Sequence, residues 1–231
     1  MKLPLARLGL RFPLVAVIAY GLYLNLYGAF NAFQPWLLLF YTTQSNALVL
    51  LLFLVICVYD LKQLAPHYRE TRLPQWLQGS KTALTWAISI TGIVWHLMLA
   101  PYIENYSGLE ILTPELLLSF SLLHTWSPLL AFIDWIMFDP KGTLKRLTPL
   151  RWLLIPIAYF AFICVWVAFV GPVNPDLGLT YPYPFIDFAT YGALAIWRNV
   201  AFIAAGMLLL AYLFYAADKL LAKTTLHISS K

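Results

Sequence analysis

Six apolar stretches, each long enough to cross a bilayer, constrain this chain more than any other feature. They lie at about 12–30, 36–58, 81–102, 113–138, 150–171 and 195–217. The hydrocarbon core calls for about 20 apolar helical residues per crossing. Inside it every backbone N–H and C=O must be paired, which a helix does within itself. A transmembrane β-barrel would instead show alternating segments of about 10 residues. Of the 231 residues, 61% are apolar and 11% charged, against about 45–50% and about 25% in soluble domains. A soluble globule, a disordered chain and a disulfide-rich secreted module are thereby excluded. The expected fold is all-α: a polytopic membrane protein forming a single six-transmembrane-helix bundle over residues 1–231.

The charges predict its orientation. Lys2, Arg7 and Arg11 precede the first span, and Lys62, Arg69, Arg72 and Lys81 follow the second. Lys141, Lys145, Arg146 and Arg151 follow the fourth, and Lys219, Lys223 and Lys231 close the chain. Fourteen of the fifteen Lys and Arg thus fall on one side, and Arg198 alone on the other. The opposite loops carry Glu104, Glu110, Glu115, Asp176 and Asp187. Positive-inside retention then puts both termini in the cytoplasm. The net charge of +5 belongs to loops, so no nucleic-acid partner is expected. The basic start followed by an apolar run resembles a signal peptide. The run is too long and Ala32 makes a poor cleavage site, so an uncleaved first span is expected. Residues 31–35 are short enough to make spans one and two a tight hairpin. No internal repeat suggests an inverted-repeat transporter. Cys57 and Cys164 sit in apolar runs and read as buried thiols. Trp36, Trp152 and Trp197 read as interfacial anchors. The proline-rich stretch 171–194 reads as an external loop without regular helix, lying on the bilayer surface or over the bundle mouth.

Polar side chains inside spans are costly and usually face the interior. Thr42-Thr43-Gln44-Ser45-Asn46 is the densest group. By helical spacing Thr42, Ser45 and Asn46 share a face. In span four, Ser121, His124, Thr125 and Pro128 form one stripe, and Pro128 leaves the His124 carbonyl without its helical donor. Trp95-His96 in span three is a third group, with Asn25 and Arg198-Asn199 as lesser candidates. Counting from the span ends, Thr42 lies about 10 Å, His124 about 15 Å and His96 about 8 Å below the external face. Polar groups that only glue helices together need not gather at one depth, whereas a cavity opening to the outer leaflet would gather them. Asp134 lies about 15 Å further along its helix than His124, so a structural ion pair or cap is its expected role.

A threonine hydroxyl is a nucleophile only when a base takes its proton, and imidazole suits that task near neutral pH. Thr42 and His124 are the expected nucleophile and base, with Thr43 and Ser45 still open as alternative nucleophiles. Gln44, Ser45 and Asn46 are candidate oxyanion donors, with His96 and Arg198 as further binding candidates. For the group that orients His124 only His96 and Asp187 suggest themselves. Zinc would need a ligand pattern such as HExxH. None is present, so neither a metal nor any other cofactor is expected.

Three motifs carry a resemblance. Phe40-Tyr41-Thr42-Thr43-Gln44-Ser45-Asn46 resembles the F-T-x-Q-S-N signature of bacterial six-helix membrane proteins. These are distant relatives of the androgen-induced and androgen-dependent membrane protein family of animals. His124-Thr125-Trp126-Ser127-Pro128 is similar to that family's H-T-x-x-P stretch, and Tyr181-Pro182-Tyr183-Pro184-Phe185 to its Y-P-F stretch. The resemblance implies a threonine-type hydrolase of fatty-acyl (lipid) esters, with the catalytic threonine carried onto Thr42 and the histidine onto His124. It also implies residence in a bacterial inner (plasma) membrane, and a membrane lipid or fatty-acyl ester as substrate. The animal enzymes are more apolar over the positions of Gln44, Ser45 and Asn46. A non-catalytic lipid or small-molecule binder, transporter or membrane regulator using the same polar cavity is the alternative.

Overall fold

The computed structural model describes residues 2–68, 73–101 and 113–229, with side chains from Leu3 to Lys223. Arg69, Arg72, Glu104, Glu110 and Lys231, counted above among the loop charges, lie outside the described residues, as does the side chain of Lys2. The described residues form six helices long and apolar enough to cross a membrane, and no strand. The chain is therefore an all-α integral membrane protein. Two compact units are described, residues 1–139 and 140–231.

The first unit holds four helices. They are α1 (Lys2–Tyr23, continued by a π-helical turn Leu24–Gly28), α2 (Tyr41–Lys62), α3 (Gln75–Val94, continued by a π-helical turn Trp95–Leu99) and α4 (Pro114–Phe138). Within α4, Leu122–Trp126 is a third π-helical turn. α1 packs on α2 and α4, and α3 on the same two, closing a ring. Asn25 at the end of α1 touches Thr43 at the start of α2, while Arg11 near the start of α1 touches Asp60 near the end of α2, so the pair is antiparallel. The hairpin between them turns through Asn31 at φ +52°, a conformation asparagine tolerates better than most residues. The core holds Leu14, Ile18 and Leu22 of α1, Val49 and Phe53 of α2, Ile88 of α3, and Leu123 and Ala131 of α4.

Several boundaries differ from those expected. α2 starts at Tyr41, because Pro35–Leu39 forms a 3₁₀ turn and Phe40 is extended at φ −79°, ψ 137°. Thr42 therefore sits in the first helical turn rather than partway down a helix begun at residue 36. Arg11 and Lys81, counted above as loop charges, lie inside α1 and α3. With 2% and 1% exposure they are among the most buried side chains of the unit.

The polar residues separate into two groups at opposite ends of this unit. Thr42 and Asp60 are eighteen residues apart on α2, about 27 Å at the helical rise. At the Asp60 end, Arg11 donates to Asp134 (Nε to Oδ1, 2.7 Å) and to Asp60 (Nη1 to Oδ2, 2.6 Å). Lys81 pairs with Asp134 and Asp139. Asp134 is thus an ion-pair residue, in keeping with its separation from His124. Each helix contributes one buried charge, with sign alternating around the ring: Arg11, Asp60, Lys81, Asp134.

The second unit holds α5 (Thr148–Trp152 and Leu154–Phe169) and α6 (Phe188–Ser229). Only 11% of the most apolar window of either is buried, against 33–44% in α1 to α4, so most of their apolar side chains serve as surface and not core. Trp152, expected at an interface, is buried edge-on to Phe214. Asp218 accepts from the N–H groups of Gly142 (2.9 Å) and Leu144 (3.1 Å), tying that loop to α6. The stretch expected to be wholly non-helical has its last residues in a helix. Asp187 caps Ala189 and Thr190, and the turn begun at Phe188 continues into α6 across a break at Gly192, φ +75°. Tyr183 stacks on Phe185 at 5.1 Å, and Phe160, Phe188 and Trp197 meet one another edge-on or stacked.

A threonine–histidine pair as candidate active site

Thr42 and His124 meet across α2 and α4. The Oγ1 to Nε2 distance is 3.1 Å, and both residues are more than nine-tenths buried. The other ring nitrogen, Nδ1, lies 3.0 Å from the Phe120 carbonyl oxygen one turn earlier. A carbonyl only accepts, so Nδ1 carries the proton and Nε2 presents its lone pair. Of the two atoms in the Thr42–His124 contact, only the hydroxyl then has a hydrogen to give. The ring plane is set by Trp95, stacked at 4.1 Å and 24°, with Phe120 edge-on at 5.9 Å.

The group that orients the ring is thus a main-chain carbonyl. His96 does not orient His124. Its Nε2 lies 2.9 Å from Thr125 Oγ1, and the side chain is exposed. Asp187 and Arg198 belong to the second unit, where Asp187 caps α6 and Arg198 is exposed.

The geometry of α4 follows from its π turn. Ser127 N–H bonds the Leu122 carbonyl. The Leu123 carbonyl could otherwise take an N–H from residue 127 or 128, but the first is engaged and Pro128 has none. Asn46 fills the gap, donating from Nδ2 to Leu123 O at 3.2 Å and to Thr42 O at 2.9 Å. Its Oδ1 accepts from Ser127 Oγ at 2.5 Å. Gly92 makes room on the other side, since a Cβ there would lie 2.9 Å from the His124 carbonyl oxygen. The extra residue of the π turn also breaks the stripe expected for span four. His124 turns to Thr42, Thr125 to His96 and Ser127 to Asn46.

The expected oxyanion donors therefore serve other ends. Both N–H groups of the Asn46 amide are used, Gln44 Nε2 donates to Leu38 O at 3.0 Å, and Ser45 Oγ lies 3.0 Å from Thr91 Oγ1 and 3.2 Å from Thr42 O. Ser45 and Asn46 thus bond across helices, to Thr91 of α3 and to Leu123 and Ser127 of α4, whereas Gln44 bonds locally to the turn before α2. Asn46→Ala should lower unfolding stability by about 2–4 kcal/mol, because the Leu123 carbonyl and the Ser127 hydroxyl lose their partner. Thermal unfolding in detergent micelles tests this, and an unchanged midpoint would contradict the clamp.

Three of the four helices carry a π turn at this end of the unit, holding Asn25, Trp95 and His124. Such turns are frequent at functional sites. They have no sequence periodicity of their own, which is why the reading above missed them. Ser119, bonded to Gly21 O, and Thr91 were missed as well, because an isolated Ser or Thr in an apolar run carries no pattern. Among the described residues no group of three His, Cys, Asp or Glu is placed to hold a metal. Comparisons with family models, curated proteins and solved structures find no match.

Proposed function

We propose that this chain is an integral-membrane hydrolase of fatty-acyl (lipid) esters, with Thr42 as nucleophile and His124 as general base. We place it in a bacterial inner membrane with both termini cytoplasmic and the pair in the external leaflet, as a relative of the family whose motifs it resembles. The observation that carries the reading is the 3.1 Å contact between Oγ1 and an Nε2 whose lone pair is directed by the Nδ1 bond to Phe120. A general base must lie within hydrogen-bond reach of the proton it takes, and this one does.

The reaction proceeds in two halves. Thr42 Oγ1 bonds the ester carbonyl carbon while its proton passes to His124 Nε2, and the carbonyl π pair moves onto oxygen. As the carbonyl re-forms, the bond to the alcohol oxygen breaks and that oxygen takes the proton from Nε2. A water then gives its proton to Nε2, and its oxygen attacks the Thr42 acyl ester. Thr42 leaves with the proton returned from His124, and the free fatty acid is released. Burial of the pair keeps bulk water from competing for the base.

The closed bonding of Ser45 and Asn46 withholds their donors from an oxyanion, and the competing reading is non-catalytic: a polar cavity at the Thr42–His124 pair that binds a lipid or small molecule without turning it over. A fluorophosphonate probe separates the two. An activated hydroxyl displaces fluoride and becomes phosphonylated, so the wild-type protein should be labelled, and Thr42→Ala and His124→Ala should not be. Undiminished labelling of both variants overturns the hydrolase reading. Absence of labelling in wild type, together with ligand-induced thermal stabilisation that survives Thr42→Ala, establishes the binder.

A further inference from the structure

With the Ser45 hydroxyl and both Asn46 N–H groups bonded elsewhere, and Gln44 donating to Leu38 O in an exposed contact, these three residues leave the proposed reaction without buried donors for the oxyanion. Among the described residues, buried donors are unspent beside the nucleophile at Asn25 and Thr43. Thr43 follows Thr42 on α2, its Cα about 3.8 Å away, and its side chain turns to α1 and not α4. There Asn25 Nδ2 lies 3.2 Å from Thr43 Oγ1. The two side chains are 7% and 2% exposed. An asparagine amide has two N–H donors and a threonine hydroxyl has one. If Asn25 donates to Thr43, the second amide N–H and the Thr43 O–H remain. If the amide is turned so that Thr43 donates to Asn25 Oδ1, both amide N–H groups remain. Either way two donors have no acceptor among the described residues. Buried donors are ordinarily paired, and leaving one unpaired costs about 1–3 kcal/mol. The arrangement is held firmly: a Cβ on Gly21 would lie 2.7 Å from Leu123 Cδ2, so α1 and α4 are in close contact one turn from Asn25. Asn25 itself is presented by the π turn that ends α1.

We infer that Asn25 and Thr43 form the oxyanion hole of the Thr42 reaction, a role that rests on the hydrolase reading above. As Thr42 bonds the carbonyl carbon from the α4 side, the oxygen swings toward α1 and takes up the two unspent hydrogens. A donor that strengthens its bond only as charge develops accelerates the chemical step and not substrate binding.

The test is steady-state hydrolysis of p-nitrophenyl octanoate by the full chain in lipid nanodiscs. Asn25→Ala should lower kcat by about 10²-fold, the usual effect of removing one oxyanion donor, with KM changed only about twofold. Affinity for an alkyl trifluoromethyl ketone, whose adduct with Thr42 carries the same oxyanion, should fall in proportion to kcat/KM. A merely structural residue would not link those two quantities. Thr43→Val is the second variant and should act in the same direction, so a failure of Asn25→Ala to fold leaves the assignment open to refutation. A kcat within about threefold of wild type in whichever of the two variants folds overturns it, as does a fall in kcat with ketone affinity unchanged. A wild-type protein that neither hydrolyses the ester nor takes the fluorophosphonate overturns the Thr42–His124 reading itself, and this assignment with it.

Discussion

His124→Ala should reduce kcat for ester hydrolysis by about 10⁴-fold or more, and the Thr42→Ala/His124→Ala double variant should be scarcely worse than either single one. Residues that act as one unit are strongly non-additive, because removing either member abolishes the step that both serve. The structural reason is the direction of one proton. Phe120 O fixes the proton on Nδ1, Nε2 faces Thr42 at 3.1 Å, and Trp95 holds the ring plane. With no imidazole the hydroxyl is undissociated at neutral pH, and its burial denies it a bulk-water base. Thr42→Ser keeps the oxygen and should retain measurable turnover. Single-turnover kinetics on wild type and the four variants provide the check. Losses that multiply in the double variant would show that the two side chains act independently, and the shared proton transfer would then be wrong.

What could be read from the chain, and what could not, divides along physical lines. Six apolar runs of bilayer length leave little freedom in fold class, so the helices were legible. Their ends were less so, because local devices set them: a 3₁₀ turn before Phe40 delays α2, and the Asp187 cap starts α6 early. The Thr42–His124 juxtaposition was legible as a matching of chemistry and depth, and the contact is present. Which neighbours support it was not. The amides of Gln44 and Asn46 read as free donors in a one-dimensional pattern. Asn46 is consumed because a π turn and Pro128 together strand the Leu123 carbonyl, which no spacing rule forecasts. The ring's orienting group is a backbone atom, invisible to any search for side chains. Arg11 and Lys81 misled for a related reason. A basic residue beside an apolar run reads as a loop charge unless its counter-ion, here on another helix, is known.

That cluster carries the largest expected effect on stability. Asp134 accepts from Arg11 Nε at 2.7 Å and Nη2 at 3.4 Å and pairs with Lys81, joining α4 to both α1 and α3. A buried ion pair adds little net stability compared with apolar residues of the same shape, but removing one partner leaves an uncompensated charge that costs about 3–5 kcal/mol. In Asp134→Ala, Arg11 keeps Asp60 and Lys81 keeps Asp139, yet two buried cations lose their shared anion and the group gains one unit of positive charge. The expected loss of about 3–5 kcal/mol is a large fraction of a typical folding free energy. It should be read as a lowered unfolding midpoint in micelles and a reduced yield of folded protein. Replacing Asp134 and Arg11 together by leucine should be less damaging than Asp134→Ala alone, since the double change withdraws charge of both signs. Lys81 and Asp60 would then still pair through their remaining partners, Asp139 and Arg7. If Asp134→Ala unfolds at the wild-type midpoint, the four helices are not held by this alternating ring of charge. The apolar layer of Leu14, Ile18, Val49, Phe53 and Ile88 would then have to hold the unit unaided, and the spacing between the two polar ends would no longer rest on a fixed point at the Asp60 end.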